Sequence, residues 1–325
     1  MPRVDKDYRF WCLSIALALM LYVLSKPIER QPLAIYKLLV VVDITRSMNA
    51  MDYTLDGQRI SRLDYIKQSL VALAGALPCQ SKLGLGVFTE RRATLLFEPI
   101  EVCSGYTEIA ATLKNLDWRM AWAADSRIAS GLHKTLDMLP KSDAALVFIT
   151  DGQEAPPVNP KYQIDFAGVK NKHKGIVIGA GDLALVPIPK FNNKGVAVGN
   201  YQPDDVPQRS TFGESDLNPE AIKGYDARNA PFGSEAVTGN EHLASLHEAY
   251  LQQLSAAAGL QYHRLTDVDG LLKSLQQPAF AITKTLAVDV RWKPAILALV
   301  AVLLIYLPFR QLALALKPRS WARKR

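Results

Sequence analysis

The feature that most constrains this chain is a run of five apolar residues that ends in a polar cluster. Residues 38–42 read Leu-Leu-Val-Val-Val, with no polar residue between them. A run without alternation predicts a strand that is buried on both faces, as in a parallel sheet covered by helices. Open α/β sheets bind ligands just beyond the carboxyl ends of such strands. The residues after Val42 are therefore the first candidates for a functional site.

Those residues include Asp43, Thr45 and Ser47, at alternate positions. One carboxylate and two hydroxyls can converge there on a single point beyond the strand. Oxygen ligands that carry few charges suit Mg²⁺, which keeps several waters and needs only one or two carboxylates. The same residue types are also typical of turns and helix N-caps, so this pattern by itself leaves both interpretations open.

The rest of the chain alternates predicted strands with predicted helices. From the apolar periodicity we predict a helix at 60–77, strands at 83–88 and 93–97, a helix from near 107, a helix at 128–139, strands at 144–149 and 175–179, a helix at 243–257 and a strand at 262–265. This order predicts an α/β fold with a doubly wound, mostly parallel sheet. Between about 183 and 240 the pattern fails, which predicts a long irregular insertion.

A second acid, Asp151, follows the buried strand at 144–149 and lies between a threonine and a glycine. Together with the Asp-x-Thr-x-Ser pattern, it resembles the metal-ion-dependent adhesion site of von Willebrand factor A domains. The resemblance covers about residues 36–182 and implies a Rossmann-like sheet with a site for Mg²⁺, or for another divalent cation such as Ca²⁺ or Mn²⁺. Thr45 and Ser47 would then bind the ion directly, while Asp43 and Asp151 would act largely through water.

The resemblance also implies a hydroxyl ligand from a second loop, for which Ser126 and Thr107 are the candidates. In the family, this hydroxyl opens the helix that precedes the Asp-bearing strand, which favours Ser126. A serine in place of the usual threonine keeps the oxygen and loses only a methyl group. Ser126 also suits an N-cap, so that role stays open.

The implied chemistry is binding and not catalysis. Because the site neutralises little of the charge of the ion, the ion stays electrophilic and accepts an acidic side chain of a protein partner as its last ligand. We therefore predict that the chain is not an enzyme.

Further segments, at residues 77–79, 84–91, 99–103 and 117–122, resemble membrane-anchored A-domain proteins associated with MoxR-type ATPases, in particular those of methanol-oxidation gene clusters. This resemblance implies a periplasmic assembly factor that helps a calcium- and quinone-dependent methanol dehydrogenase to acquire its metal. Trp118, Arg119 and Trp122 would lie beside the metal face as partner contacts. Core packing explains the two tryptophans equally well.

Two apolar segments, residues 10–25 and 294–309, contain no charged residue. Each would form about 24 Å of helix, short of the roughly 30 Å hydrocarbon core, with aromatic and basic flanks to close the gap. Because the C-terminus is basic, the positive-inside rule predicts two transmembrane helices in the bacterial inner membrane, with the main domain in the periplasm. The first segment lacks a small-residue cleavage site but would also fit a signal peptide, and the second would also fit a core helix.

The ends of the chain differ in charge from its body. The formal net charge of +7 comes from the termini, since residues 10–309 hold equal numbers of basic and acidic residues. A nucleic-acid-binding protein would place this charge on a folded face, so nucleic-acid binding is not predicted. We divide the chain into a cytoplasmic N-terminus (1–9), a transmembrane helix (10–25), a linker (26–35), an A domain (36–278) with the insertion at about 183–240, a stalk (279–293), a transmembrane helix (294–309) and a basic cytoplasmic tail (310–325).

Cys79 and Cys103 lie in the part predicted to be exported, where an oxidising environment permits a disulfide. Two buried thiols would fit the sequence as well, because geometry decides between them.

Two other functions fit parts of the sequence. A phosphatase with an aspartyl nucleophile also places an Asp after a buried strand, but Thr45 stands where such enzymes usually have a second Asp. An envelope structural protein with an empty metal site is the other alternative. The five histidines show no zinc-ligand spacing, and the chain has no glycine-rich phosphate loop, so zinc and nucleotide binding are not predicted.

Overall fold

The computed structural model describes residues 8–122, 125–139, 144–155, 164–192, 194–206 and 240–306. They belong to two compact units, one formed by residues 1–33 and 283–325 and the other by residues 34–282. The helices are α1 (Tyr8–Leu24), α2 (Arg62–Ala76), α3 (Tyr106–Lys114), α4 (Ile128–Met138), α5 (Glu248–Ala258), α6 (Val268–Leu275) and α7 (Trp292–Leu304). The strands are β1 (Ile28–Asp43), β2 (Tyr53–Leu55), β3 (Gln58–Ile60), β4 (Lys82–Thr89), β5 (Arg92–Glu101), β6 (Ala145–Thr150), β7 (Gly175–Ala180), β8 (Val186–Pro187), β9 (Pro189–Phe191), β10 (Ala197–Asn200), β11 (Leu243–Ala244), β12 (Gln261–Leu265) and β13 (Ala281–Asp289).

The second unit is built on a sheet whose strands run in the order β12-β7-β6-β1-β4-β5, and β13 also pairs with β1. The strands from β12 to β4 are parallel, and β5 is an antiparallel edge strand. This confirms the predicted α/β fold with a mostly parallel sheet. Since parallel strands share a direction, the carboxyl ends of β1, β4 and β6 lie at one edge of the sheet.

The register of β1 determines which residues meet at that edge. Val42 lies opposite Val87 of β4 on one side and Ile149 of β6 on the other. Asp43, the last residue of β1, is therefore level with Phe88 on one side and one residue beyond Ile149 on the other.

Both faces of the sheet are covered by apolar residues, as the uninterrupted run at 38–42 predicts. Val40 and Val42 belong to a core cluster with Leu70 and Leu73 of α2. Val41 points to the opposite cluster, which includes Leu132 of α4. Burying side chains of this size stabilises the fold by about 1.5–3 kcal/mol each.

Local sequence explains where α2 begins and ends. The side chain of Ser61 accepts a hydrogen bond of 3.0 Å from the backbone N–H of Asp64 and so caps the first turn. Pro78 follows shortly after the helix and cannot continue it.

The structure also joins Cys79 and Cys103 by a disulfide.

The described part of the insertion contains short strands that we did not predict. β8 pairs with β11, and β9 pairs with β10. These strands are two to four residues long, which is too short to produce a recognisable period in the sequence. The rest of the predicted insertion, residues 207–239, lies outside the described residues.

In the first unit, α1 and α7 pack on each other through Ala16, Ala298 and Ala301. Many large apolar side chains of both helices are exposed, among them those of Trp11 and Leu299. No helix in the described part of the chain is both long enough and apolar enough to cross a bilayer. The transmembrane helices that we predict at 10–25 and 294–309 thus stay predictions, and residues 1–7 and 307–325 lie outside the described residues.

One close approach in the core gives a test of the packing. Gly131 of α4 lies against the buried ring of Phe88, and a Cβ atom at this position would overlap the ring. We predict that Gly131→Ala lowers the free energy of unfolding by about 1–3 kcal/mol, because overpacking outweighs the gain in helix propensity. Chemical denaturation measures this change.

Gly75 provides the matched control. It is an exposed glycine of α2, and an added Cβ would make only an ordinary contact of 3.6 Å with the ring of Tyr106. Gly75→Ala should raise the free energy of unfolding by about 0.5–1 kcal/mol. Equal effects of the two substitutions would contradict this packing.

Candidate metal site

The first loop of the candidate site follows β1 directly. Asp43 is fully buried, and its Oδ1 accepts hydrogen bonds from the backbone N–H of Thr45 at 2.9 Å and from its hydroxyl at 2.6 Å. Because the Thr45 hydroxyl donates its proton to Asp43, its lone pairs are left for a cation. Ser47 lies in the 3-10 turn Arg46–Asn49 and is also buried.

The third loop follows β6 and meets the first loop at Asp43. The hydroxyl of Thr150 donates a hydrogen bond of 2.6 Å to Asp43 Oδ2. The next residue, Asp151, is fully buried and accepts hydrogen bonds from the backbone N–H of Gln153 at 3.0 Å and from Arg62 at 2.7 Å. The structure therefore brings the predicted Asp43 and Asp151 to the same edge of the sheet.

The second loop carries Ser126 and pairs with the residues that follow Asp151. Backbone hydrogen bonds of 2.8 Å connect Ser126 and Ala155 in both directions. The Ser126 hydroxyl is buried and has no hydrogen-bond partner among the described residues. A buried hydroxyl without a partner costs free energy, and a metal ion is one group that would satisfy it.

The sequence left open whether Ser126 caps α4 and whether Thr107 supplies the hydroxyl in its place, and the structure bears on both questions. Arg127 occupies the N-cap position of α4, so the side chain of Ser126 does not cap this helix. Thr107 is exposed on α3, which follows the end of β5. Because β5 is antiparallel and its Glu101 pairs with Lys82 at the start of β4, this end lies at the edge of the sheet opposite Asp43.

Glu154 supplies the cap of α4, a role that our sequence analysis missed. Its carboxylate accepts hydrogen bonds from the backbone N–H of Ala129 at 2.9 Å and from the Tyr250 hydroxyl at 2.6 Å. Burial raises the pKa of Glu154. The third loop thus holds the start of α4, and with it the adjacent Ser126. Only the tertiary structure shows this contact, because Glu154 lies 25 residues from Ala129 in the sequence.

Arg62 is a second residue that our sequence analysis missed. Its side chain is fully buried and forms ion pairs with Asp52 at 2.6 Å and with Asp151 at 2.7 Å. In the sequence, an arginine at the start of a helix appears as an ordinary surface residue. Its burial follows from the position of the two carboxylates, which no local pattern reveals.

Burial and the neighbouring carboxylate of Asp151 raise the pKa of Asp43 from its usual 3.8 to about 7. Excess negative charge in a buried position favours the binding of either a proton or a cation. Three hydroxyl groups provide oxygen ligands of the kind that Mg²⁺ binds: Thr45 with its free lone pairs, the buried Ser47 and the unpartnered Ser126.

In the described part of the chain, a group of three potential metal ligands occurs at Cys79, Glu101 and Cys103, but the two cysteines are bonded to each other.

The three residues that we predicted as partner contacts lie near the loops of the candidate site: the turn Trp118–Met120 contacts the turn Arg46–Asn49, and Trp122 Nε1 donates a hydrogen bond of 3.1 Å to Glu90. Trp118 is partly buried against the core, and its ring stacks on Phe191 at 5.3 Å between centroids. Arg119 is exposed and paired with Asp117, and Trp122 is 43% exposed with the guanidinium of Arg92 over its ring. Packing therefore accounts for Trp118, whereas Arg119 and Trp122 are accessible to a partner.

The unpartnered hydroxyl gives a direct test of the metal site. Ser126→Ala removes no hydrogen bond seen in the structure, so the free energy of unfolding without metal should change by less than about 1 kcal/mol. If Ser126 is a ligand, the affinity for Mg²⁺ in isothermal titration calorimetry should fall at least about tenfold. Ser130→Ala, which alters a buried serine of the adjacent helix α4, is the control. Unchanged Mg²⁺ affinity in Ser126→Ala would exclude Ser126 as a ligand.

The raised pKa of Asp43 predicts a pH dependence of metal binding. Below pH 7 a proton competes with the cation, so the apparent Mg²⁺ affinity should fall by up to about tenfold per pH unit. Without metal the folded chain binds more protons than the unfolded chain between about pH 4 and 7, so stability should decrease as the pH rises through this window. Calorimetric titrations with Mg²⁺ measure the first effect, and chemical denaturation without metal measures the second, each at several pH values. Asp43→Asn should remove them, and an unchanged pH dependence in this variant would assign it to another group.

Comparison with known proteins is consistent with this geometry. Residues 38–153 match the family model of the von Willebrand factor type A domain. No curated protein matches the chain.

Several solved structures are similar to the chain. An aerotolerance-related membrane protein from Bacteroides fragilis NCTC 9343 is 17% identical, with a TM-score of 0.48 over 75% of this chain and 98% of that one. The conserved hypothetical protein BatB from Bacteroides thetaiotaomicron is 16% identical, with a TM-score of 0.48 over 74% and 96%. A membrane-spanning protein from Vibrio fischeri is 18% identical, with a TM-score of 0.27 over 74% and 95%.

The matched residues include the five predicted site residues, the end of β1 and all of β6. Residues 38–153 are therefore similar to a von Willebrand factor type A domain, and they belong to a unit with a mostly parallel central sheet.

Proposed function

We propose that this chain is a non-enzymatic, metal-dependent protein-binding module. Thr45, Ser47 and Ser126 would hold Mg²⁺ directly, and Asp43 and Asp151 would orient them. The bound ion would supply an open coordination position for an acidic side chain of a partner. The observation that carries this proposal is the unpartnered, buried hydroxyl of Ser126, on a loop whose backbone pairs with the residues that follow the buried Asp151.

The hydrogen bonding of Asp43 argues against the phosphatase alternative. A nucleophilic carboxylate needs a free oxygen that substrate can reach. Asp43 is fully buried, and its two oxygens accept hydrogen bonds from the hydroxyls of Thr45 and Thr150. In this arrangement Asp43 serves to orient hydroxyl groups.

We further propose that the chain is attached to the bacterial inner membrane and that the A domain faces the periplasm. The exposed apolar side chains of α1 and α7 support this proposal, because monomeric soluble proteins rarely expose large apolar patches. The basic residues at 310–325 support a cytoplasmic C-terminus.

The biological role that we propose is assembly of a periplasmic quinoprotein methanol dehydrogenase, on the basis of the resemblance carried by segments 77–79, 84–91, 99–103 and 117–122. Other A-domain proteins and a MoxR-type ATPase would take part in this assembly. The A domain would bind a metal-free precursor of the dehydrogenase through an acidic residue.

Partner binding should depend on both the metal and the site. We predict that the tagged full-length chain, solubilised from membranes, captures the metal-free dehydrogenase in Mg²⁺ and loses it in EDTA. Asp43→Ala should reduce the capture at least about tenfold, because the ion loses its orienting carboxylate. Lys172→Met, at an exposed ion pair, is the control.

Two outcomes would contradict the proposal. Capture that is equal in EDTA and in Asp43→Ala would show that the metal is not involved, as expected for a structural protein with an empty site. Release of phosphate from an aryl phosphate, lost in Asp43→Asn, would favour the phosphatase.

A further inference from the structure

A fully buried guanidinium lies beside the candidate metal site. Arg62 Nε and Nη2 donate hydrogen bonds of 2.8 and 2.6 Å to Asp52 Oδ2, and Nη1 donates one of 2.7 Å to Asp151 Oδ2. The side chain of Arg62 is 0% exposed, and that of Asp52 is 3% exposed. Burying an arginine is costly unless its partners are held in good geometry, so the surrounding structure must fix these contacts.

The backbone at residues 181–182 packs closely against the guanidinium and its partner Asp52. Gly181 lies so close that an added Cβ would come within 2.7 Å of Arg62 Cζ and Nε. The backbone N–H of Asp182 donates a hydrogen bond of 2.9 Å to the same oxygen of Asp52, while Asp52 Oδ1 has no partner among the described residues. Arg62 is therefore fixed between Asp52 and Asp151.

The position of Arg62 limits what Asp151 can do for a cation. Arg62 occupies Oδ2 of Asp151, and the backbone N–H of Gln153 occupies Oδ1. A carboxylate with both oxygens engaged can still accept a hydrogen bond from a water on the ion. It is a poor direct ligand, because its charge is already shared with the guanidinium.

This distinction separates the two common divalent cations. Mg²⁺ keeps several waters and binds through few carboxylates, whereas Ca²⁺ takes six to eight oxygen ligands and readily accepts a carboxylate directly. We infer that Arg62 is a positioning residue that makes the site prefer Mg²⁺ over Ca²⁺, by reserving Asp151 for hydrogen bonding. This inference rests on the proposed metal site and adds a basis for its selectivity.

The net charge of the cluster and the hydrogen bond to Asp151 can be tested separately. Asp43, Asp52 and Asp151 are three buried carboxylates, and Arg62 is the guanidinium among them. Asp52→Asn removes one negative charge but leaves the hydrogen bond from Arg62 to Asp151. The double variant Arg62→Met/Asp52→Asn keeps the net charge of the cluster and frees Oδ2 of Asp151.

The experiment titrates the full-length chain and its variants with MgCl₂ and CaCl₂ by calorimetry, without a partner. We expect Asp52→Asn to lower both affinities about threefold or more and to leave their ratio unchanged. The double variant should raise the ratio of Ca²⁺ to Mg²⁺ affinity by about tenfold. Lys172→Met/Asp137→Asn removes an exposed ion pair and should leave both affinities and their ratio as they are.

The same ratio can be read from stability if the double variant is too unstable for calorimetry. A cation that binds the folded chain raises its unfolding temperature, so the shifts at equal concentrations of the two ions report their relative affinities. A purely structural role for Arg62 would lower the unfolding temperature of the double variant without changing this ratio. That result would overturn the inference, and so would an equal change of the ratio in Asp52→Asn. If the unaltered chain bound neither ion, the proposed function would fail as well.

Discussion

The site depends on the burial of negative charge at one edge of a parallel sheet. Asp43 and Asp151 are both fully buried, and burial together with the neighbouring carboxylate of Asp151 raises the pKa of Asp43 to about 7. Burying a charge is costly unless it is paired. Arg62 offsets part of this cost through Asp151, but it does not contact Asp43. A divalent cation held by the neighbouring hydroxyls would offset the rest, which links the stability of the domain to its ligand.

The register of the parallel strands brings these carboxylates together, and a helix cap holds the loops around them. Adjacent parallel strands end at the same level, so Asp43 and Thr150 meet without any contribution from the loops. Ser126 needs more support, because it lies on a loop between elements. The paired backbone at Ala155 and the cap from Glu154 supply that support, and both belong to the loop that carries Asp151. Packing and site geometry therefore arise from the same few contacts.

Sequence reasoning predicted the parts of the molecule that local patterns encode. The buried run before Asp43 and the strand before Asp151 predict a parallel sheet, and the structure has one. The sequence-based predictions were wrong or absent where contacts between residues distant in the sequence determine the structure. The helix that we predicted from residue 243 begins at Glu248, because Leu243 and Ala244 pair with β8. Arg62 and Glu154 have no local signal, since their roles depend on groups that are distant in sequence.

The proposed binding function and the selectivity that we ascribe to Arg62 both require a cation at the hydroxyls of Thr45, Ser47 and Ser126. The most direct measurement is an anomalous difference map from crystals of the chain grown with MnCl₂, since Mn²⁺ accepts the same oxygen ligands as Mg²⁺. We expect one peak within coordination distance of the Thr45, Ser47 and Ser126 hydroxyls, with Asp151 still hydrogen-bonded to Arg62. A map with no peak there, or with Mn²⁺ bound directly by Asp151 in place of Arg62, would contradict this expectation.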